Sequence, residues 1–213
     1  CGDLFWCYAK LIACKQINLA PDVETSLLTC FDTYISISEK LQSSSLSQWN
    51  AHFIFSVGKY LKFKALYLSL SRLEKIPYLF EKLVQSQHRM PTRLLIAALC
   101  GMEVCLQRLA NVPQSSKHHK IYIPSSVLNA LSNTIIEISN RKEFCWETFL
   151  STLKILGRLT SATYQFNFSP EIKKTIDIIL RKLENPPHEH MSMSDLAHGL
   201  WGLAKLYLNN IIE

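Results

Sequence analysis

A basic residue returns four times at one helical position, as Lys10, Lys59, Arg158 and Lys205, each time after a small residue and before an apolar or aromatic one. Cations repeated at a fixed place on stacked helices make a row suited to the phosphates of a nucleic acid. Each also stands near a predicted helix C-terminus, where positive charge complements the helix dipole, so the row has a structural reading too. The densest basic run is Lys59, Lys62, Lys64, Arg72 and Lys75, with Phe63 and Tyr67 between them. Basic residues interleaved with rings suit an RNA backbone and its bases. The alternative is a solvated helix face whose aromatics belong to the core. Arg89, Arg93 and the inserted loop Lys117-His118-His119-Lys120 complete the candidate RNA-binding set. Loops of this kind concentrate function, although a polar insertion can also be plain disorder.

Other chemistry is absent from the pattern. His188-Glu189-His190 offers two imidazoles without a third ligand nearby, which reads as a loop and not as a metal site. His52 and His198 occupy equivalent positions, either as partner contacts or as satisfied surface side chains. There is no Gly-rich phosphate loop, nucleophile elbow, HExxH or paired-carboxylate arrangement. We therefore expect no enzyme, no catalytic residue, no metal and no cofactor.

The elements that carry these residues are helices. Apolar residues make up 48% of the 213 residues and charged ones 19%, with six Gly and eight Pro, which excludes a disordered chain and disfavours a loop-rich β protein. Seven Cys without a C-x-x-C pair read as reduced, buried thiols. No run of apolar residues is long enough for a membrane span, since Leu94 to Met102 is stopped by Glu103. The net charge of +6 is unevenly spread: residues 43–142 carry +9, and segments 1–42 and 185–213 carry −2 each. A basic centre between acidic ends points to an anionic ligand in the middle and protein neighbours at the ends.

Helical periodicity gives paired helices. Residues 3–16 form a first helix with Leu4, Tyr8, Leu11 and Ile12 inward, and Pro21 opens a second that carries Leu27, Phe31 and Ile35. Ser47 to Phe63 has the stripe Trp49, Phe53, Val57 and Tyr60, followed by Leu70 to Val84, which Pro77 should kink or delay. Leu94 to Leu109 is apolar nearly all round, hence central. Ser125 to Ser139, Glu143 to Leu159, a helix from Pro170 and a last one from about Met193 follow. In that last helix Leu196, Leu200, Leu203 and Tyr207 form the expected inward face, widened by Trp201 and Ala204, with Gly202 on the opposite stripe. The small residues Ala9, Gly58, Gly101, Gly157 and Ala204 mark one helix end per unit. We therefore expect an all-α chain, an α-solenoid of four to five helix hairpins with bounds near 1–42, 43–85, 86–142, 143–184 and 185–213. A start at Cys1 and a stop inside the last unit read as a fragment of a longer chain.

Asp195-Leu-Ala-His-Gly-Leu-Trp-Gly-Leu-Ala-Lys-Leu206 resembles the LAN-x-LWALAKL helix of octotricopeptide-type repeats, and Leu4-Phe-Trp-Cys-Tyr-Ala-Lys-Leu11 is similar to it. Related helical repeats occur in heptatricopeptide, RAP-domain and FAST-kinase-like proteins. The resemblance implies a mitochondrial or plastid protein that binds organellar RNA. It implies either a structural contact with ribosomal RNA, the reading favoured here, or a role in transcript maturation or translation. A protein-binding helical scaffold without RNA is the alternative outside that group.

Overall fold

The computed structural model describes residues 7, 21–40, 46–62, 68–85, 87–110, 125–141, 146–160, 170–183 and 192–209. Among them the chain is all-helical. The helices are α1 (Pro21–Lys40), α2 (Leu46–Lys62), α3 (Leu70–Leu73), α4 (Lys75–Val84), α5 (Thr92–Ala110), α6 (Ser125–Asn140), α7 (Trp146–Leu159), α8 (Pro170–Leu183) and α9 (Met193–Leu208). A short 3-10 turn, Gln87–Arg89, precedes α5. The expected first helix over 3–16 and the insertion 111–120 lie outside the described residues.

Local signals account for the ends. Pro21 and Pro170 each occupy the first helical position, where a missing N–H costs nothing. Asp22 and Glu24 sit in the first turn of α1 and Lys40 in its last, each favourable to the dipole. The Ser192 hydroxyl caps α9 by accepting from the Asp195 N–H at 3.1 Å. Pro77 is the third residue of α4, and the helical run breaks at Glu74. A proline ring clashes with the carbonyl four residues back, here that of Leu73, so the interruption falls there and not at Pro77 itself.

Two rows of helices emerge from the packing. α2 lies against α5, α5 against α7, and α7 against α9; α1, α4, α6 and α8 touch in the same successive way behind them. Between the rows lies a continuous core that includes Phe31, Phe53, Tyr60, Phe80, Leu99, Leu106, Leu131, Leu153 and Leu156. Tyr34 stacks on Phe53 with ring centroids 4.1 Å apart and donates its hydroxyl to Asn50 at 2.8 Å. α5, the expected central helix, buries Leu95, Ala98, Leu99, Met102, Cys105, Leu106 and Leu109.

Several helix ends are capped from a neighbouring element. Arg108 of α5 donates to the Leu61 carbonyl of α2 at 2.6 Å, and Lys82 of α4 to the Ser38 carbonyl of α1 at 2.6 Å. Arg141, just past α6, donates to the carbonyls of Gln87 and Met90. The Leu61 and Ser38 carbonyls lie in the last turns of their helices, where the helix itself leaves the acceptor open.

The tightest contacts are glycine crossings. A Cβ on Gly58 would lie 2.4 Å from the Gly101 Cα, and one on Gly101 would lie 2.3 Å from the Ile54 oxygen. The same arrangement recurs between α7 and α9, where a Cβ on Gly157 would lie 2.7 Å from the Gly202 Cα, and one on Gly202 would lie 2.4 Å from the Leu153 oxygen. Gly202, not Ala204, is therefore the counterpart of Gly101, and it faces inward.

Two expected stripes are corrected with it. Trp49 is 61% exposed, while Phe53, Val57 and Tyr60 of its stripe are fully buried. On α9 the buried residues are Gly199, Gly202 and Leu206, whereas Leu200 and Tyr207 are 57% and 63% exposed. Close backbone approach through small residues has chosen the face, over side-chain hydrophobicity.

No described helix is long and apolar enough to cross a membrane. Cys7 is exposed, Cys30 and Cys100 half-buried and Cys105 buried, all as free thiols.

Candidate functional site

Gly101 lets α5 settle closely against α2, and part of α5 borders a cleft between α2 and α7. Its residues there, Cys100, Gly101 and Val104, form the floor of this cleft of about 80 Å³. Longer side chains make the walls: Phe55, Lys59 and Lys62 from α2, and Lys154, Ile155 and Arg158 from α7. Four cations thus converge over a floor of small, uncharged residues.

One carboxylate lies beneath them. Glu103 of α5 is 1% exposed and receives the Arg158 guanidinium at 2.7 Å, with Gln107 donating to its other oxygen. Burial pushes the Glu103 carboxyl above its ordinary value, against the pull of Arg158. The pair orients Arg158 at the rim of the cleft. Lys154 has no ion pair among the described residues, and its ammonium is pushed below its usual range by burial first, then by Arg158 and Lys62. His198 on α9 is shifted down by desolvation, then by Lys154, Arg158 and Lys62, which places it beside the same positive field. A lysine whose proton affinity is lowered by neighbouring positive charge stands where an anion would be stabilised.

The candidates read from the sequence divide into groups. Lys59, Lys62 and Arg158 are brought together in the cleft. Lys59 also lies 5.3 Å from the centre of the Phe55 ring. Arg72 and Lys75 lie elsewhere, against α1: Arg72 makes a two-pronged contact with Asp32 at 2.6 and 2.9 Å, and Lys75 meets Glu39 at 3.0 Å. Arg89 is exposed on the 3-10 turn. Arg93 is exposed on α5, on the same helical stripe as Cys100 and about 10 Å nearer the helix start. Lys64, Phe63, Tyr67, Lys117, His118, His119 and Lys120, together with Lys10 and His188-Glu189-His190, lie outside the described residues. Lys205 stands in the last turn of α9, 5.8 Å from the centre of the Trp201 ring.

Lys154 is the cleft cation that the sequence reading missed. Its signal was there: it stands four residues before Arg158, so the two share a helix face. Glu103 and the small residues of the floor could not be assigned without knowing which helices adjoin.

Comparison of the chain with protein-family models, with curated proteins and with solved structures gives no match.

Proposed function

We propose that this chain is an α-solenoid of helix hairpins that binds organellar RNA, with the ribosomal RNA of the mitochondrion as its ligand and a plastid or transcript-directed role as the variant of the same reading. The successive contacts within each row of helices and the recurrence of the glycine crossing support the solenoid. The observation that carries RNA binding is the convergence of Lys59, Lys62, Lys154 and Arg158 in one cleft above a single buried carboxylate. Such a cluster attracts phosphate through charge and charge-assisted hydrogen bonds, with no demand for a particular base. The organelle and the ribosome are supported by the resemblance of Asp195–Leu206 and Leu4–Leu11 to octotricopeptide-type helices.

A second reading, a protein-binding scaffold, is favoured by one observation. Met193, Leu200, Trp201, Tyr207 and Leu208 leave an exposed apolar surface on α9. Both can hold in a ribonucleoprotein, with RNA in the cleft and a protein neighbour on α9.

Ultraviolet crosslinking of the tagged full-length protein in cells, with sequencing of the attached RNA, tests the reading. Reads concentrated on a few positions of organellar ribosomal RNA are expected. Reads on particular messenger transcripts would move the role to transcript maturation or translation. No crosslink above background would leave the scaffold.

A further inference from the structure

We infer that the cleft between α2, α5 and α7 is built for a phosphomonoester dianion, as carried by the end of an RNA strand or by a mononucleotide, and not for a bridging phosphodiester. The inference deepens the reading of the cleft as a phosphate site. Charge is the first ground. Lys59, Lys62, Lys154 and Arg158 face one small space, and Glu103 offsets one of them. A diester supplies a single negative charge and would leave most of this excess in place. A monoester brings a second negative charge near neutral pH.

Size is the second ground. About 80 Å³ is the liquid volume of about two to three waters, room on the scale of one phosphate group. A nucleobase with its sugar does not fit, so the ligand enters phosphate first and the remainder stays outside. An internal phosphate has chain on both sides and must reach the floor by bending both away. A terminal phosphate has chain on one side.

The floor is the third ground. Cys100, Gly101 and Val104 present little bulk, so the oxyanion can descend between the walls of cations. A Cβ at Gly101 would meet the α2 backbone, so the glycine that makes the crossing also sets the depth of the cleft.

The test is fluorescence anisotropy of the full chain with one oligoribonucleotide in three forms: 5′-phosphorylated, 3′-phosphorylated and with both ends hydroxyl. Adenosine monophosphate and inorganic phosphate serve as competitors. A phosphorylated end is expected to bind tighter by about tenfold, the effect of one added charge-assisted contact. The gap should close in Lys154→Met and persist in Lys154→Arg, with both variants melting like the wild type. Equal affinity for all three ends overturns the inference and leaves RNA binding intact. If no oligonucleotide binds but calorimetry detects inorganic phosphate or the mononucleotide, RNA binding falls and the monoester site stands. If neither is bound, both fall.

Discussion

Gly58 and Gly101 touch through their backbones: a Cβ on the first would stand 2.4 Å from the Cα of the second. Neither helix can yield locally, because the obstruction is main chain. Gly58→Ala should therefore destabilise the fold by about 1–3 kcal/mol, the usual range for overpacking. This holds even though alanine favours a helix over glycine by about 1 kcal/mol. Gly157→Ala should behave alike, since its Cβ would meet Gly202 at 2.7 Å. Denaturant midpoints check both. A midpoint raised in either variant, the gain expected of an uncrossed helix, would contradict the crossing.

The Arg158–Glu103 pair makes a prediction with a definite sign. The Glu103 carboxyl is raised above its ordinary 4.5 by burial, so the folded chain holds this proton longer than the unfolded one. Its contribution to stability is therefore greatest below that value and declines as pH rises above it. Glu103→Gln should abolish this slope, so the stability of the wild type relative to the variant should fall across the same pH window. Removing the carboxylate also releases Arg158 to an incoming anion, so the variant should bind RNA severalfold tighter at a fixed salt concentration. Unfolding free energies measured against pH, together with anisotropy titrations, check both effects.

Arg72 and Lys75 should matter to neither RNA nor stability in a large way. Their carboxylate partners on α1 are about half exposed, and surface pairs of this kind contribute less than about 1 kcal/mol. Arg72 holds the Asp32 carboxyl below its usual 3.8 by its hydrogen bond. That small contribution is present above the unfolded value and is lost as pH falls through the folded one. Arg72→Ala and Lys75→Ala are expected to keep wild-type RNA affinity. Weaker binding by either would move the binding surface to the α1 side.

Much of the fold was legible because periodicity and prolines report locally. Pro21 and Pro170 announced two helix starts, and the buried side of α1, Leu27, Phe31 and Ile35, follows from spacing alone. The face of α9 did not, because hydrophobicity marked Leu200 and Tyr207 while the packing used Gly199 and Gly202. A glycine stripe carries no hydropathy signal, and its meaning depends on the partner helix. The site was half legible for the same reason. Lys59 and Arg158 shared a place in the recurring motif, but that Lys62, Lys154 and Glu103 meet them depends on α2, α5 and α7 lying side by side, which linear spacing does not encode. Arg72 and Lys75 looked like part of the same basic run, yet the break at Glu74 and the carboxylates of α1 draw them to another surface.

The central claim is that the cleft over α5 grips RNA by charge. The most direct measurement is the salt dependence of oligoribonucleotide binding by the wild type, by a Lys59→Gln, Lys62→Gln, Lys154→Gln triple variant, and by an Arg72→Gln, Lys75→Gln double variant as control. For a single strand the slope of log affinity against log salt should shrink by about 0.7 for each phosphate that the protein no longer neutralises. The triple variant is predicted to give up about 0.7 unit of slope, the share of the one phosphate the cleft holds, together with most of its affinity, while the control keeps both. An unchanged slope in the triple variant, or a matching decrease in the control, would contradict the account.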